Sequence, residues 1–188
     1  MKKRIYQFIL FRLMGWKIVG SIDENIKKCV LMVVPHTSWH DFFLGVLTRG
    51  IIQLEMNWVG KKELFQFPLH YFFRWMGGVP LDRSGGLNKV DSITSIFKER
   101  TIFRMAIAPE GTRKKVTELK TGFYFIAIKA NVPIIPVAFN FGKKEVNIGQ
   151  PFYPSGNSNE DIKILSTHFI NVKGKKSEYS FEVKTKID

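Results

Sequence analysis

A single cysteine, Cys29, in a chain of 188 residues leaves no partner for an intrachain disulfide and excludes a zinc site built from several thiolates. A reducing, cytoplasmic setting follows as the expectation. No apolar run approaches the ~18 residues that cross a bilayer as a helix, which excludes an ordinary helical membrane-spanning protein. Acidic side chains are scarce. Sixteen Asp and Glu stand against 29 Lys and Arg, a formal charge of +13 that divides as +6 over residues 1–94 and +7 over residues 95–188. There is thus no basic tail, only an evenly basic body that suits phosphates, acidic proteins or a membrane face. No serine has glycines two positions to each side, and neither G-x-x-x-x-G-K-[ST] nor G-x-G-x-x-G occurs. The α/β-hydrolase elbow, the P-loop and the dinucleotide fingerprint are absent. Only four histidines are present, without H-E-x-x-H, so no metal site is expected.

What is present is apolar and alternating. Hydrophobic residues make up 45% of the chain, too many for a disordered basic protein, and the length suits one domain. Residues 1–22 carry five basic side chains and no acid, with Ile5, Phe8, Ile9, Leu13 and Trp16 at helical spacing. Arg12 and Lys17 interrupt any signal-peptide core and no small-residue cleavage site follows. A retained amphipathic helix lying in a lipid headgroup layer is the expectation, against the alternative of a helix packed on the domain's own core.

From Asp23 onward strand and helix alternate. Strands are expected at 29–34, 57–60, 79–82, 105–108, 134–140 and 145–148. Helices are expected at 41–53, 63–76, 87–100, 122–130 and 159–172. This is an α/β pattern, a single-domain sandwich of a mixed sheet flanked by helices. Residues 174–188 are polar and give no pattern.

The stretch His36-Thr37-Ser38-Trp39-His40-Asp41 falls where the apolar strand run gives way to a helix, the end of a strand at which α/β proteins place their sites. Five residues turn through ~140° on an ideal helix, so His36 and Asp41 cannot pair along one straight face. With His36 in the turn and Asp41 in the first helical turn, the carboxylate can fold back to the ring. It would then fix the tautomer and leave the other nitrogen as a general base. By itself the same pattern also describes a helix cap and a satisfied turn residue.

Three more blocks follow in order: Gly78-Val79-Pro80-Leu81-Asp82-Arg83, Ala108-Pro109-Glu110-Gly111-Thr112-Arg113 and Val132-Pro133-Ile134-Ile135-Pro136-Val137. Together with the first they resemble the HxxxxD, GxxxxDR, PEGTR and VPIxPV signatures of the glycerophospholipid acyltransferase family, which includes the 1-acyl-glycerol-3-phosphate acyltransferases. The resemblance covers about residues 29–148 and is closest to a compact, lysophospholipid acyltransferase-like branch. Val79-Pro80-Leu81 departs from the bulkier residues of better-known members, which leaves the acceptor less determined than the reaction.

The resemblance implies a glycerol-3-phosphate acyltransferase-like domain, placed over residues 23–188, preceded by residues 1–22, whose charge and apolar spacing mark them as the membrane-associating segment. It implies that His36, oriented by Asp41, deprotonates a substrate hydroxyl that attacks an acyl thioester directly, with no acyl-enzyme. Arg83 and Lys61 match residues that bind the acceptor's phosphate, a role suited to a bidentate guanidinium and a point charge. Glu110, Gly111, Thr112 and Arg113 match the block that shapes the acceptor site. No cofactor is implied beyond the donor, acyl-CoA or acyl carrier protein. The expected partners are a lysophospholipid and the cytoplasmic face of a membrane, bound peripherally. Leu64, Phe65, Phe67, Tyr71, Phe72, Phe73 and Trp75 would line an acyl-chain groove or face the membrane, although core packing accounts for most residues of such a segment. The competing readings are an acyltransferase fold acting on another lipid or amine, a non-catalytic lipid-binding protein and, last, a nucleic-acid binding module.

Overall fold

The computed structural model describes residues 2–81 and 88–183. Seven strands form one mixed sheet: β1 (Lys17–Val19), β2 (Lys28–Val34), β3 (Asn57–Lys61), β4 (Gly78–Leu81), β5 (Phe103–Ile107), β6 (Ile134–Asn140) and β7 (Glu145–Ile148). Their order is β1-β7-β6-β2-β5-β3-β4, and every neighbouring pair is parallel except β6 with β7. The central strand β2 is apolar on both faces because both are covered. Val30, Met32 and Val34 point to one side, toward Phe97 of α4 (Lys89–Glu99) and Phe123 and Tyr124 of α5 (Gly122–Ala130). Cys29 and Leu31 point to the other, toward Leu44 and Ile51 of α2 (His40–Ile52) and Leu10 and Trp16 of the N-terminal segment. The two cores together sandwich the sheet, at about 1.5–3 kcal/mol for each fully buried large apolar side chain. α6 (Ser158–Ser166) adds Leu165 to the first core.

Local chemistry sets the ends of several elements. The Asn88 side chain accepts the Asp91 N–H at 3.0 Å and so caps α4. Gln53 and Asn131, at φ 62° and 51°, stop α2 and α5 in the left-handed region.

Two expectations need correction. The helix expected over 63–76 is broken into a 3-10 turn, Lys62–Phe65, and a short α3, His70–Trp75. Pro68 falls between them, where it supplies no N–H to a helical ladder. The core packing expected for most side chains of that segment does not hold either. Phe67 is 83% exposed, Tyr71 71% and Trp75 60%, because this segment leads into β4, the last strand in the sheet order, and no further layer of the described residues covers it.

The N-terminus forms α1 (Lys2–Gln7) and a π-helical stretch, Phe8–Leu13. Leu10 is fully buried, while Ile5, Phe8 and Leu13 are exposed. Gly15, at φ +69°, turns the chain out of the helix, and Lys17–Val19 then pairs with β7 as the edge of the sheet. Among the described residues no helix is long and apolar enough to cross a membrane.

Candidate active site

The sequence motifs converge because they lie at the same ends of neighbouring parallel strands. The turn carrying His36 follows β2, Glu110 follows β5, Lys61 ends β3, and Gly78–Leu81 of the second block form β4. This is the carboxyl edge of the sheet, where α/β folds place their sites. The fourth block has a different task. Ile134, Ile135, Pro136 and Val137 lie in β6 against β2, in register with Val30, Leu31, Met32 and Val33.

Helix α2 begins at His40, so His36 lies in the turn before it and Asp41 in its first turn. The Asp41 carboxylate folds back as that arrangement requires. Its Oδ2 accepts the N–H groups of Thr37 and Ser38, both at 2.8 Å, and lies 3.2 Å from His36 Nδ1. Three partners on one oxygen leave the carboxylate little freedom. With Nδ1 directed at Asp41, Nε2 is the nitrogen left for substrate. The His36 side chain is 25% exposed and that of Asp41 1%, so the ring is accessible while the carboxylate stays behind it. Ser38 Oγ lies 2.8 Å from His40 Nδ1 and accepts the His40 N–H at 3.3 Å, which occupies it as a helix-start residue.

Glu110 enters from the neighbouring strand. Its Oε2 accepts the His36 backbone N–H at 2.5 Å, which ties the third block directly to the first. Glu110 is 2% exposed, and its Oε1 has no hydrogen-bond partner among the described residues. Burial pushes its carboxyl up to about 7 from an ordinary 4.5. The N–H and the charge of His36 pull the other way, and the Asp41 charge adds to the rise. Gly111 follows at φ +64°, and a Cβ there would sit 2.6 Å from Lys120 Nζ. Glycine is therefore favoured by the backbone conformation, whereas the exposed Lys120 side chain can move aside from a Cβ.

The other expected binding residues are arranged less tightly. Lys61 is exposed at the end of β3. Thr112 and Arg113 are exposed, and Thr112 Oγ1 accepts the Lys114 N–H at 3.3 Å. Arg83 lies outside the described residues. The structure thus brings His36, Asp41 and Glu110 into direct contact. Lys61 and Arg113 are left at the same edge of the sheet.

Behind His36 an apolar cavity of about 390 Å³ runs between α2 and the sheet. Leu31 and Val33 of β2, Gly45 and Val46 of α2, Trp58 of β3 and Ala106 of β5 line it, with His36 among its walls. Its size is that of an ordinary small-ligand site. Sequence reasoning did not find these residues. The small side chains at Gly45 and Ala106, on facing elements that bulky residues would fill, were the signal.

Cys29 belongs to the core rather than the site. Burial pushes its thiol up to about 12, with the Arg104 charge opposing, so it carries no thiolate for nucleophilic chemistry.

The Acyltransferase family profile matches residues 17–140. The 1-acyl-sn-glycerol-3-phosphate acyltransferase of Bacillus subtilis is 31% identical over 153 residues, 74% of this chain and 74% of that protein. The enzyme of the same description from Salmonella typhimurium is 33% identical over 134 residues, 68% of this chain and 53% of that one. The chain thus spans about three quarters of one of these relatives and about half of the other. In fold it resembles the crystal structure of the 1-acyl-sn-glycerophosphate acyltransferase of Thermotoga maritima, with a TM-score of 0.57 and 24% identity, over 89% of this chain and 73% of that one. A profile match over well more than half of the chain makes the protein a member of the acyltransferase family.

Proposed function

We propose that the protein transfers a fatty acyl group from a thioester, acyl-CoA or acyl carrier protein, to the free hydroxyl of a lysophospholipid, with 1-acyl-glycerol-3-phosphate as acceptor. The observation that carries this reading is the His36–Asp41 pair at the wall of an apolar cavity. The acyl chain enters the cavity, which sets the thioester carbon beside the imidazole. His36 Nε2 takes the proton of the acceptor hydroxyl as its oxygen attacks that carbon. The tetrahedral intermediate collapses, the C–S bond breaks, and the thiolate leaves with the proton carried by His36. Asp41 stabilises the imidazolium between the two steps. Lys61, Arg83 and Arg113 meet the acceptor's phosphate, and Glu110, with Gly111 and Thr112, shapes the loop beside it.

An exposed aromatic band supports placement on a lipid surface. Trp39 and Phe43 stack edge-on at 5.2 Å beside the catalytic turn. Contacts of 5.7–6.3 Å continue through Phe42, Trp58, Phe73 and Phe72 to Trp75. Trp39, Phe43, Phe67, Tyr71, Phe72 and Trp75 are all more than half exposed. So large an apolar patch needs a partner. A bilayer supplies one, and its anionic lipids match the +13 charge. Exposed Ile5, Phe8 and Leu13 beside Lys2, Lys3 and Arg4 give the N-terminal helix the same character.

The test is a mass-spectrometric assay of the purified protein, pairing both donor types with a panel of lysophospholipids and phosphate-free acceptors. A diacylglycerol phosphate product is expected. Transfer only to phosphate-free acceptors would overturn the choice of acceptor, and no transfer with any pair would overturn the reading.

A further inference from the structure

The chain beyond the family match returns to the catalytic turn. The Lys173 carbonyl accepts the Phe141 N–H at 2.7 Å, which fixes this segment just past the end of β6. Gly174 is buried and donates its N–H to Ser180 Oγ at 2.9 Å. The short turn Ser177–Tyr179 closes the loop between them. From this loop the Lys176 N–H donates to Thr37 Oγ1 at 3.2 Å. Farther on, Glu182 pairs with Lys115 at 2.9 Å, two residues past Arg113. One loop thus holds the chain on either side of the site.

Its closest approach is at Gly174. A Cβ there would sit 2.6 Å from Thr37 Oγ1, 2.7 Å from Thr37 Cγ2 and 3.1 Å from Pro35 Cγ. Any other residue must push on both branches of Thr37. That side chain is β-branched and stiff about χ1, and Thr37 is 2% exposed, so the displacement passes to its backbone. The Thr37 N–H is one of the two that hold Asp41 Oδ2, the oxygen facing His36.

We propose that the 173–182 loop, acting through Gly174, is a positioning element of the acyl-transfer site: it holds Thr37 so that its N–H keeps the Asp41 carboxylate against the His36 ring. This rests on the acyl-transfer reading above. Gly174 touches none of the reacting atoms. Its effect falls on the geometry of the base, where a displacement of about 1 Å costs about 10²-fold in rate.

The test uses the full chain with Gly174→Ala, Thr37→Ala, the double variant and Ser180→Ala. Gly174→Ala is expected to lower kcat about 10- to 100-fold, with both KM values within about threefold of wild type. In the Thr37→Ala background, where both contacting branches are gone, adding Gly174→Ala is expected to cost less than about threefold, a non-additivity of contacting residues. Ser180→Ala, which loosens the loop without crowding Thr37, is expected to lower kcat in the same direction by a smaller factor. The His36 ring resonances in NMR spectra are expected to move in Gly174→Ala. A wild-type kcat in Gly174→Ala, an equal cost in both backgrounds, or unmoved His36 resonances would overturn the proposal. Inactivity of the wild-type protein with every donor and acceptor would instead overturn the acyl-transfer reading, and the resonances would still report on the contact.

Discussion

Glu110 and His36 lie 74 positions apart in the chain and share one hydrogen bond, from the His36 N–H to Glu110 Oε2. Parallel pairing of β2 with β5 places the ends of the two strands side by side, so the carboxylate of the third motif fixes the backbone of the first. Asp41 fixes the ring of the same histidine. Two buried carboxyl groups therefore hold His36, one by its main chain and one by its side chain.

Those two attachments are separable. Asp41→Asn removes the charge that stabilises the imidazolium and places an amide where Thr37, Ser38 and His36 all require an acceptor. The expected loss is about 10²-fold or more in kcat with KM little changed, since general-base catalysis contributes about 10²–10⁴-fold. Steady-state kinetics measures it, and a variant within about threefold of wild type would remove Asp41 from the mechanism.

Glu110 is predicted to make stability fall with rising pH. Its native carboxyl keeps a proton up to about pH 7, whereas an unperturbed carboxyl releases it near 4.5. Between those values the native state binds more protons than the unfolded one, so stability declines as pH rises. The full effect is about 3 kcal/mol, at ~1.4 kcal/mol for each tenfold difference in proton affinity between the two states. Glu110→Gln abolishes this titration, so its Tm relative to wild type is expected to be higher at about pH 8 than at about pH 5. A difference that does not vary with pH would contradict the buried, proton-holding carboxyl.

How much of this was legible beforehand depended on whether the information was local. Helix 122–130 and strands 134–140 and 145–148 were expected with the bounds observed, because each is a periodic run closed by a turn residue such as Asn131. The pairing of His36 with Asp41 was legible too, since both belong to one turn. Glu110 could be matched to a motif, but its contact with His36 depends on which strands are neighbours, and no spacing records that. Pro68 was visible and should have divided the 63–76 helix. The loop at Gly174 left no trace in hydropathy because it packs through a bare Cα and backbone hydrogen bonds.

The aromatic band predicts lipid binding that survives loss of activity. Replacing Phe67, Tyr71 and Trp75 together with serine exchanges exposed apolar surface for polar, without touching either core. Co-sedimentation with vesicles containing phosphatidic acid is expected to fall by at least about tenfold, since even one large side chain fully withdrawn from water contributes ~1.5–3 kcal/mol. Ile5, Phe8 and Leu13 permit a parallel test by substitution. Deleting residues 1–22 is less informative, because it also removes β1 and the buried Leu10 and Trp16. Unchanged sedimentation of both substituted proteins would remove the membrane surface.

Cys29 supplies a control on the route of transfer. With its thiol pushed up to about 12 in the core, the native protein is expected to resist iodoacetamide and to keep full activity. Modification should appear only on unfolding. Alkylation of the folded protein with loss of turnover would reopen a covalent route.

The claim on which the rest depends is that His36 removes the proton from the acceptor hydroxyl. Single-turnover acyl transfer by His36→Ala, with vesicle binding measured on the same preparation, tests it most directly. The account predicts a fall of about 10²–10⁴-fold in the transfer rate with lipid binding intact, because the base acts in the transition state rather than in association. A transfer rate equal to wild type would contradict it.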